Sequence, residues 1–436
     1  MAIDTSISSS PRSAITADAT YRQVAWRFMP LLFICYLVAY LDRVNVGFAK
    51  LQMLDDLHFS DAVYGLGAGL FFIGYFIFEV PSNLLLHRFG ARRWISRIMI
   101  TWAALSAATA WISTPTEFYV LRFLLGLAEA GFFPGMILYM SYWFPSSKRG
   151  KMTAILIAGN PVSGMIGGPI SGYIMHSLSG AYGFAGWQWL FVVEAIPAAI
   201  LGVVIFFYLD DRVEKASWLT EEQRSQIAND LKEDAPPQSH ESVRGAFLSP
   251  AVWLLSLVFF GIVMGLYALG FWQPTIIKNA GVSDPLFVGL LTAIPYGCAV
   301  LSMFLAGAHA DRTRERRWHV AIPTLAASVG FVLCALGGQS LLASMMGLTL
   351  IAIGTITAAS GFWVLPVAFL RGTGAAAGVA LISSVGNLAG FVSPTIMGWI
   401  NARAHTLAPS LLLVSGSLLV SAFLVVVFIP AKAVNH

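Results

Sequence analysis

Charged residues are scarce in this chain of 436 residues. Only 11% are Asp, Glu, Lys or Arg, and 57% are hydrophobic, whereas a soluble globular chain carries about 25% charged residues. This deficit excludes a soluble enzyme, a nucleic-acid-binding protein and a disordered scaffold. Apolar runs of about 20 residues, each long enough to cross a bilayer, recur along the sequence. The composition therefore predicts an all-α polytopic membrane protein.

Cysteines and enzyme signatures are also few. The three cysteines, Cys35, Cys298 and Cys334, lie far apart in apolar segments, which excludes a disulfide framework and a zinc site. The zinc-protease HExxH pattern, the hydrolase GxSxG pattern and the phosphate-binding GxxxxGK loop followed by Ser or Thr do not occur in the sequence. We therefore expect no enzyme activity, no metal, no cofactor and no drive by ATP.

Twelve apolar helices are predicted, six on each side of one polar stretch. Their bounds are 26–46, 62–86, 94–112, 118–143, 152–176, 187–208, 250–276, 286–309, 319–337, 341–369, 375–400 and 409–430. The polar stretch contains SWLTEEQ, which is typical of a helix start, so we expect a solvated linker with a short amphipathic helix. The predicted organisation is an N-terminal tail (1–25), a six-helix bundle (26–209), the linker (210–249), a second six-helix bundle (250–430) and a C-terminal tail (431–436).

The basic residues predict the orientation. Of the 26 Lys and Arg, 21 lie in the N-terminus, the even-numbered loops and the C-terminus, and only Lys50, Lys278 and Arg403 fall in the opposite loops. By the positive-inside rule, both termini are cytoplasmic. Residues 1–25 lack the apolar core of a secretory signal, so we expect the first span to stay in the mature protein.

The two groups of six spans share sequence features. The loop after the second span reads NLLLHRFGARR (83–93), and the loop after the eighth reads GAHADRTRERR (307–317). Gly159-Asn160 in the fifth span is echoed by Gly386-Asn387 in the eleventh. Chance similarity of basic loops is the alternative, but two pseudo-symmetric six-helix bundles with a site between them at the midplane are a known transporter architecture.

Six charged residues fall inside predicted spans. They are Asp42, Arg43, Glu79, Arg122, Glu129 and Glu194. Each costs about 2.5–3.5 kcal/mol to insert, so each should face a cavity or a partner rather than lipid. At 1.5 Å per residue, Arg43 lies about 25 Å from the cytoplasmic side and Arg122 about 6 Å from the other side, so the two arginines share a level. Glu129 lies two turns deeper than Arg122, on the same helix face.

An arginine beside an acid suits anion transport coupled to protons. The guanidinium is a planar fork that matches a carboxylate, and buried acids in transporters act in proton relays. We therefore interpret Asp42 and Glu129 as proton-coupling residues. The alternative is a set of static ion pairs of Asp42 or Glu129 with Arg122. For Glu79 and Glu194 a structural role is favoured.

Small and aromatic residues in the spans have two interpretations. Gly164, Gly168 and Gly172 are spaced four apart, which predicts close helix packing. Aromatic residues in the spans are packing or interfacial residues unless they face a cavity, in which case they line it. They include Tyr40, Tyr75, Tyr267, Trp272 and Trp363.

The chain resembles the major facilitator superfamily and, within it, the anion:cation symporter family of bacterial tartrate, phthalate, hydroxyphenylacetate and sugar-acid permeases. The resemblance extends from the first span past the tenth. It is carried by YLDRVNVGFA (40–49), FFIGYFIFEVPSNLLLHRFGARRW (71–94), LRFLLGLAEAGFFPG (121–135), YWFPSSKRGK (142–151), WLTEEQR (218–224), YALGFWQPTIIK (267–278) and GFWVLPVAFL (361–370).

The resemblance implies roles for particular residues. The acid-arginine pair of helix 1 falls on Asp42 and Arg43, with Arg43 as the carboxylate binder. The pair of helix 4 falls on Arg122 and Glu129, with Glu129 as a proton carrier. The positions that match the family's substrate pocket are Tyr40, Tyr75, Asn160, Ser360 and Trp363. Further candidates for the pocket lining are Trp272, Ser383 and Asn387.

The chain also departs from the family pattern. His87 stands where the loop after helix 2 usually has an acid, whereas the second copy of the loop keeps Asp311. Ser383 stands where many relatives carry Asn, which could change the substrate group that is recognised. The residues expected to gate the movement of the two halves are Arg88, Arg92, Asp311 and Arg312.

These features predict a monomeric proton-coupled importer of a small organic carboxylate in the bacterial cytoplasmic membrane. Its partners would be the substrate, protons and the lipid bilayer, without nucleic acid. The alternative is a proton-coupled exporter of drugs or metabolites, because GMIGGPISG (164–172) partly resembles the helix 5 motif of drug antiporters. The intramembrane arginines favour an anion.

Overall fold

The computed structural model describes residues 11–234, 248–369 and 374–435, and within these ranges every regular element is a helix. Eleven helices are long and apolar enough to cross a membrane. The helix Ala91–Ala108 is the twelfth; it has 18 residues and carries Arg92, Arg93 and Arg97 near its first end. The predicted all-α fold with twelve spanning helices is confirmed.

The spanning helices are numbered α1 to α12, and four of them have two segments. They are α1 (Pro11–Val44 and Val46–Leu57), α2 (Asp61–Phe89), α3 (Ala91–Ala108), α4 (Pro115–Glu129 and Phe132–Ser141), α5 (Ser146–Ile157 and Gly159–Ser177), α6 (Gly186–Tyr208), α7 (Pro250–Asn279), α8 (Pro285–Thr313), α9 (Trp318–Leu336), α10 (Leu341–Phe362 and Val364–Phe369), α11 (Gly374–Ala404) and α12 (Ala408–Phe428). Because the number of crossings is even, both chain ends lie on one side of the membrane, here called the termini side.

Helix α1 extends well beyond its predicted bounds at both ends. It begins at Pro11, within the predicted tail, and continues past Asn45 to Leu57. Asn45 makes only a local interruption, because the following turns bury Phe48, Ala49 and Leu51. The placement of Lys50 in a loop is therefore corrected: Lys50 lies inside the helix.

The polar linker packs against the N-terminal bundle. A linker helix, Glu221–Glu233, begins at Thr220 with a capping box to Gln223, which confirms the predicted amphipathic helix. Trp218 stacks on Trp143 with ring centroids 5.8 Å apart, and Tyr21 donates a 2.7 Å hydrogen bond to Asp230. The described part of the linker is thus docked rather than simply solvated, because its apolar side chains have a surface to bury against.

One charged group at the end of the linker helix tightens this docking. The Ser146 side chain and its backbone N–H both donate hydrogen bonds to Asp234, and these bonds lower the pKa of Asp234. Residues 235–247, with Pro236 and Pro237, lie outside the described ranges.

The two halves meet through two symmetry-related helix pairs, α2 with α11 and α5 with α8. Each pair joins the second helix of one half to the fifth of the other. The backbones approach so closely that a Cβ on Gly65 would collide with the carbonyl oxygen of Pro394, and one on Gly289 with that of Gly168. Glycine at these positions permits the contact, which agrees with the predicted packing role of the helix 5 glycines.

These contacts between the halves lie on the side away from the termini. In α2 they fall at Gly65, Gly69 and Phe72, near its first end, and in α5 at Gly164, Gly168 and Gly172, near its last. We call this closed contact the seam. Towards the termini side, Val80 and Leu84 of α2 are 68% and 66% exposed. The molecule is therefore closed at the seam, and its central region is reached from the termini side.

Candidate substrate-binding site

Arg43 and Glu129 form an ion pair at the centre of the molecule. Nη2 of Arg43 donates a hydrogen bond to Oε1 of Glu129, whose side chain is fully buried, while 17% of the Arg43 side chain is exposed. Glu129 ends the first segment of α4, and the chain turns there because Gly131 adopts a φ of +80°, a conformation that favours glycine. The interruption of α4 thus holds a buried carboxylate against an accessible guanidinium.

Arg122 lies at the same level, as predicted. Its Cζ is 5.2 Å from the centroid of the Phe71 ring, and the Cζ of Arg43 is 5.3 Å from the same centroid. Arg122 is only 1% exposed, and its guanidinium nitrogens have no hydrogen-bond partner among the described residues. The alternative of a static ion pair with Arg122 is not observed within these residues: Glu129 pairs with Arg43, and Asp42 acts on Arg122 through its charge without an ion-pair contact.

Asp42 points away from the Arg43–Glu129 pair. It is 1% exposed, and its Oδ1 accepts hydrogen bonds from Oγ of Ser106 at 2.5 Å and from Nδ2 of Asn45 at 3.2 Å. Successive residues of a helix project in different directions, so Asp42 faces α3 while Arg43 faces α4. The two acids predicted to couple protons therefore occupy different environments, Glu129 beside an arginine and Asp42 beside hydroxyl and amide groups.

Tyrosines surround the Arg43–Glu129 pair. The Cζ of Arg43 lies 5.3 Å from the centroid of the Tyr75 ring, and Tyr36, Tyr40 and Tyr267 lie within electrostatic range of Arg43. The Tyr40 hydroxyl is buried without a hydrogen-bond partner among the described residues. Our sequence analysis did not place Tyr36 here, although it precedes Arg43 by seven residues and so shares its helix face.

The remaining predicted lining residues of the N-terminal half lie close by. Asn160 is the second residue of the second segment of α5 and follows Gly159, which packs against Tyr36. The Asn160 Oδ1 atom is buried and has no hydrogen-bond partner in the described ranges. This amide is therefore available to a bound molecule.

The C-terminal half contributes aromatic and hydroxyl groups. Trp363 lies at the interruption of α10, with its ring centroid 4.9 Å from that of Phe259. Ser360 donates to the carbonyl oxygen of Ile356 at 2.8 Å, within its own helix. Ser383 and Asn387 are half-buried on α11, one turn apart. Four helices with candidate residues, α1, α4, α5 and α10, are thus interrupted near those residues, as in many transporter sites.

Trp272, predicted to line the pocket, lies instead in the seam. It is fully buried, and Nζ of Lys50 is 3.6 Å from its ring centroid. The Lys50 Nζ also pairs with Oδ1 of Asp61 at 2.8 Å, and the Tyr64 hydroxyl donates a 2.8 Å hydrogen bond to the carbonyl oxygen of Phe271. We call Lys50, Asp61, Tyr64 and Trp272 the seam cluster; it joins α1 and α2 to α7 and closes the side away from the termini.

The predicted gating residues of the N-terminal half lie on the termini side. Arg88 is exposed, and the backbone N–H of Arg92 donates to Oδ1 of Asp211 at 2.9 Å. His87, which replaces the usual acid, is hydrogen-bonded through Nδ1 to the Tyr142 hydroxyl at 2.9 Å. This loop is therefore tied to α4 and to the start of the linker.

The matching loop of the C-terminal half makes a different contact. Asp311 pairs with Arg316 at 2.7 Å, while Arg312 is exposed. Both loops lie on the open side, so the gating roles of their residues stay predictions.

Among the described residues, no group of three or more His, Cys, Asp or Glu side chains is arranged to hold a metal ion.

Comparisons with known proteins agree with this architecture. The model of the Major Facilitator Superfamily matches residues 32–394. The chain is 48% identical to "Putative metabolite transport protein NicT" of Pseudomonas putida, over 96% of each chain. It is also 48% identical to a "Putative tartrate transporter" of Agrobacterium vitis, over 93% of this chain and 94% of that protein.

A third relative carries a different kind of name. The "Quinolone resistance transporter" of Acinetobacter baumannii is 40% identical over 90% of this chain and 91% of its own. Among solved structures, the partially occluded inward open conformation of the xylose transporter XylE from E. coli superimposes with a TM-score of 0.74 at 15% identity, covering 93% of this chain and 98% of that one. The twelve helices, the paired halves and the family match together place this chain in the Major Facilitator Superfamily, as a membrane transporter and not an enzyme.

Proposed function

We propose that this protein imports a small organic carboxylate together with protons across the bacterial cytoplasmic membrane. The observation that carries the proposal is the Arg43–Glu129 pair. Its guanidinium side chain is 17% exposed, and its carboxylate side chain is fully buried. The pair thus already holds one carboxylate in the position where a substrate carboxylate would bind.

Proton coupling follows from competition for this arginine. An ionised Glu129 occupies Arg43, and a proton on Glu129 weakens that pairing, because a neutral carboxyl is a poorer partner for a guanidinium. Arg43 is then free for the substrate anion. Because Arg122 adds a second buried positive charge at this level, the site favours an anion when Glu129 is neutral. Substrate and proton therefore bind together.

The orientation sets the direction of the cycle. The excess of basic loops on the termini side supports a cytoplasmic location for both termini, so the structure corresponds to the inward-open state. Rocking of the halves would part the seam and close the termini side, exposing the same residues to the other side of the membrane. We propose that the protein acts as a monomer, since one chain contains both halves and the complete site.

A thermal-shift screen tests the proposal. Purified protein is mixed with tartrate, gluconate or benzoate, which represent hydroxy-dicarboxylates, sugar acids and aromatic acids. We expect at least one class to raise the melting temperature of the wild type and not of Arg43→Ala. If a carboxylate stabilises both proteins equally, Arg43 is not its binding residue and the proposal fails.

The second candidate function is drug export. It is favoured by the 40% identity to a protein named as a quinolone resistance transporter. Quinolones also carry a carboxylate, so Arg43 could serve either substrate. Uptake into vesicles under an imposed proton gradient separates the two: a symporter accumulates tartrate on the side to which protons flow, whereas an exporter moves a quinolone against the proton flow.

A further inference from the structure

Glu194 is a buried carboxyl group that the proposed cycle does not use. It lies in α6 and is 4% exposed. Its Oε1 accepts a 2.6 Å hydrogen bond from the Ser171 hydroxyl, and its Oε2 is buried without a partner among the described residues. An ionised carboxylate is strongly disfavoured in a buried place unless a cation compensates it. Within the described ranges Glu194 has no ion-pair partner, so we treat it as protonated in this conformation.

The groups that face Glu194 come from three helices. Ser171 lies on α5, Asp42 and Asn45 lie on α1, and Ser106 of α3 holds Asp42 from the other side. Asp42 is the charged group that acts on Glu194, and its charge has the same sign. Two nearby carboxyls in one polar pocket disfavour each other's ionised form. A cation therefore does not explain the burial of Glu194, whereas a proton does.

A small cavity in the seam borders this pocket through Asn45 and Ser171. It has a volume of about 20 Å³ and lies between the halves, with Asn45 and Ser171 on one wall and Gln273, Thr292 and Tyr296 on the other. This volume holds about one water molecule. The Oε1 atom of Gln273 is buried without a partner among the described residues. The cavity is thus polar on both walls, and Ser171, which lines it, also donates the hydrogen bond to Glu194.

The seam controls access to this cavity. Gly168 of α5 and Gly289 of α8 touch backbone to backbone beside it, and both helices continue to the side away from the termini. When the halves part at the seam, the cavity wall formed by the C-terminal half moves away from Ser171, and Ser171 then faces open water. When the halves close, neither Glu194 nor the Ser171 hydroxyl is accessible to water on that side.

We infer that Glu194 is a proton-binding site that links closure of the seam to the pH on that side. A proton from water in the open seam passes to the Ser171 hydroxyl, which passes its own proton to Oε1 of Glu194. Closure buries the neutral carboxyl, and reopening returns the proton by the same route. Low pH on the side of the seam therefore favours the closed state.

A histidine contact across the seam has to be separated from Glu194. His176 of α5 lies 2.9 Å through Nδ1 from Oδ1 of Asp284 at the start of α8, and its side chain is 50% exposed. A protonated His176 would also favour closure. Because this pair is exposed, its contribution should be small, and His176→Gln removes it without touching the buried pocket.

The test measures the distance across the seam without any substrate. Spin labels are attached to Cys residues introduced at Ser179 and Ser283, which are exposed on the two halves, in a background lacking the three native cysteines. The closed-to-open ratio is followed from mildly alkaline to mildly acidic pH in lipid nanodiscs. In the wild type the ratio should rise with falling pH, by at most about tenfold per pH unit, the limit for one proton.

The variants decide the outcome. Glu194→Gln, a neutral isostere, should be closed at every pH, while His176→Gln should keep most of the wild-type slope. Ser171→Ala should stay closed up to a higher pH than the wild type, because the ionised Glu194 carboxylate loses its hydrogen-bond donor. This variant tests the inference if Glu194→Gln does not fold. A wild-type slope in Glu194→Gln together with a flat response in His176→Gln would overturn the inference. Since no carboxylate is present, failure of the proposed substrate would leave this result unchanged.

Discussion

The two halves of this transporter share one architecture but differ in where they bury charge. The charged side chains buried among the described residues all lie in the N-terminal half: Asp42, Lys50, Arg122, Glu129 and Glu194. The described spans of the C-terminal half bury neutral groups instead, such as Gln273 and Thr292. The fold therefore does not require buried charge in the membrane, since the described spans of the C-terminal half form the same architecture with neutral buried groups. The charges in the N-terminal half need a functional explanation.

We interpret the difference as a division of labour. In the proposed function, the N-terminal half binds the anion and the protons, and the C-terminal half moves against it and contributes aromatic and hydroxyl groups. Changes to the N-terminal charges should then abolish binding or coupling. Changes to the C-terminal wall should alter affinity and selectivity only.

The largest effect is expected at Arg43. Arg43→Ala should weaken carboxylate binding by about 2–5 kcal/mol, because a buried charge loses its partner, and this corresponds to a rise in Kd of about thirtyfold or more. Arg43→Lys keeps the charge but loses the fork, so it should remain strongly impaired. Isothermal titration with the stabilising carboxylate measures both. Wild-type affinity in Arg43→Lys would contradict the bidentate contact, and the melting temperature of each variant controls for folding.

The second effect separates coupling from binding. Glu129→Gln mimics the protonated acid, so the variant should exchange labelled carboxylate across vesicle membranes but not accumulate it under a proton gradient. Asp42→Asn provides a comparison, because Asp42 contacts Ser106 and Asn45 rather than an arginine. Undiminished accumulation by Glu129→Gln would assign Glu129 a structural role.

A smaller effect is expected at the seam. Lys50→Met removes the cation over the Trp272 ring, a desolvated contact between the halves that is worth about 2 kcal/mol. The closed-to-open ratio should fall roughly thirtyfold. Lys278→Met is the matched control, since Lys278 also joins the halves, through the carbonyl oxygen of Leu51 at 2.7 Å, but is 39% exposed. An equal shift in both variants would mean that burial of Lys50 adds nothing.

The smallest effect is expected in the C-terminal wall. Ser383→Asn introduces the amide that the family resemblance implies at this position and should change the relative affinities for tartrate, gluconate and benzoate by a few-fold. Proton coupling should stay intact. Competition uptake assays measure this selectivity, and a loss of proton-driven accumulation in Ser383→Asn would break the proposed division between the halves.

Much of this arrangement could be predicted from the sequence. Apolar runs predicted the twelve spans, and the rise per residue predicted that Arg43 and Arg122 share a level. The pairing of Arg43 with Glu129 could not be predicted, because it depends on the rotation of α1 against α4. Lys50 was placed in a loop because the first span was ended at residue 46, whereas the hydrophobic residues after Asn45 continue the helix to Leu57.

The true position of Trp272 could have been predicted from its depth along α7. It lies 22 residues after Pro250 at the start of α7, which corresponds to about 33 Å at 1.5 Å per residue. That depth places it near the far side of the membrane rather than at the midplane. Closure at the seam was not predictable, because sequence patterns do not distinguish the alternating states of a transporter.

The central claim is that the substrate carboxylate and ionised Glu129 compete for Arg43, so that substrate and proton bind together. The most direct measurement is the number of protons taken up when the stabilising carboxylate binds, obtained by calorimetry in buffers of different ionisation enthalpy. The account predicts net proton uptake by the wild type at neutral pH and a clearly smaller uptake by Glu129→Gln. Carboxylate binding without proton uptake by the wild type, or with the same uptake in Glu129→Gln, would contradict it.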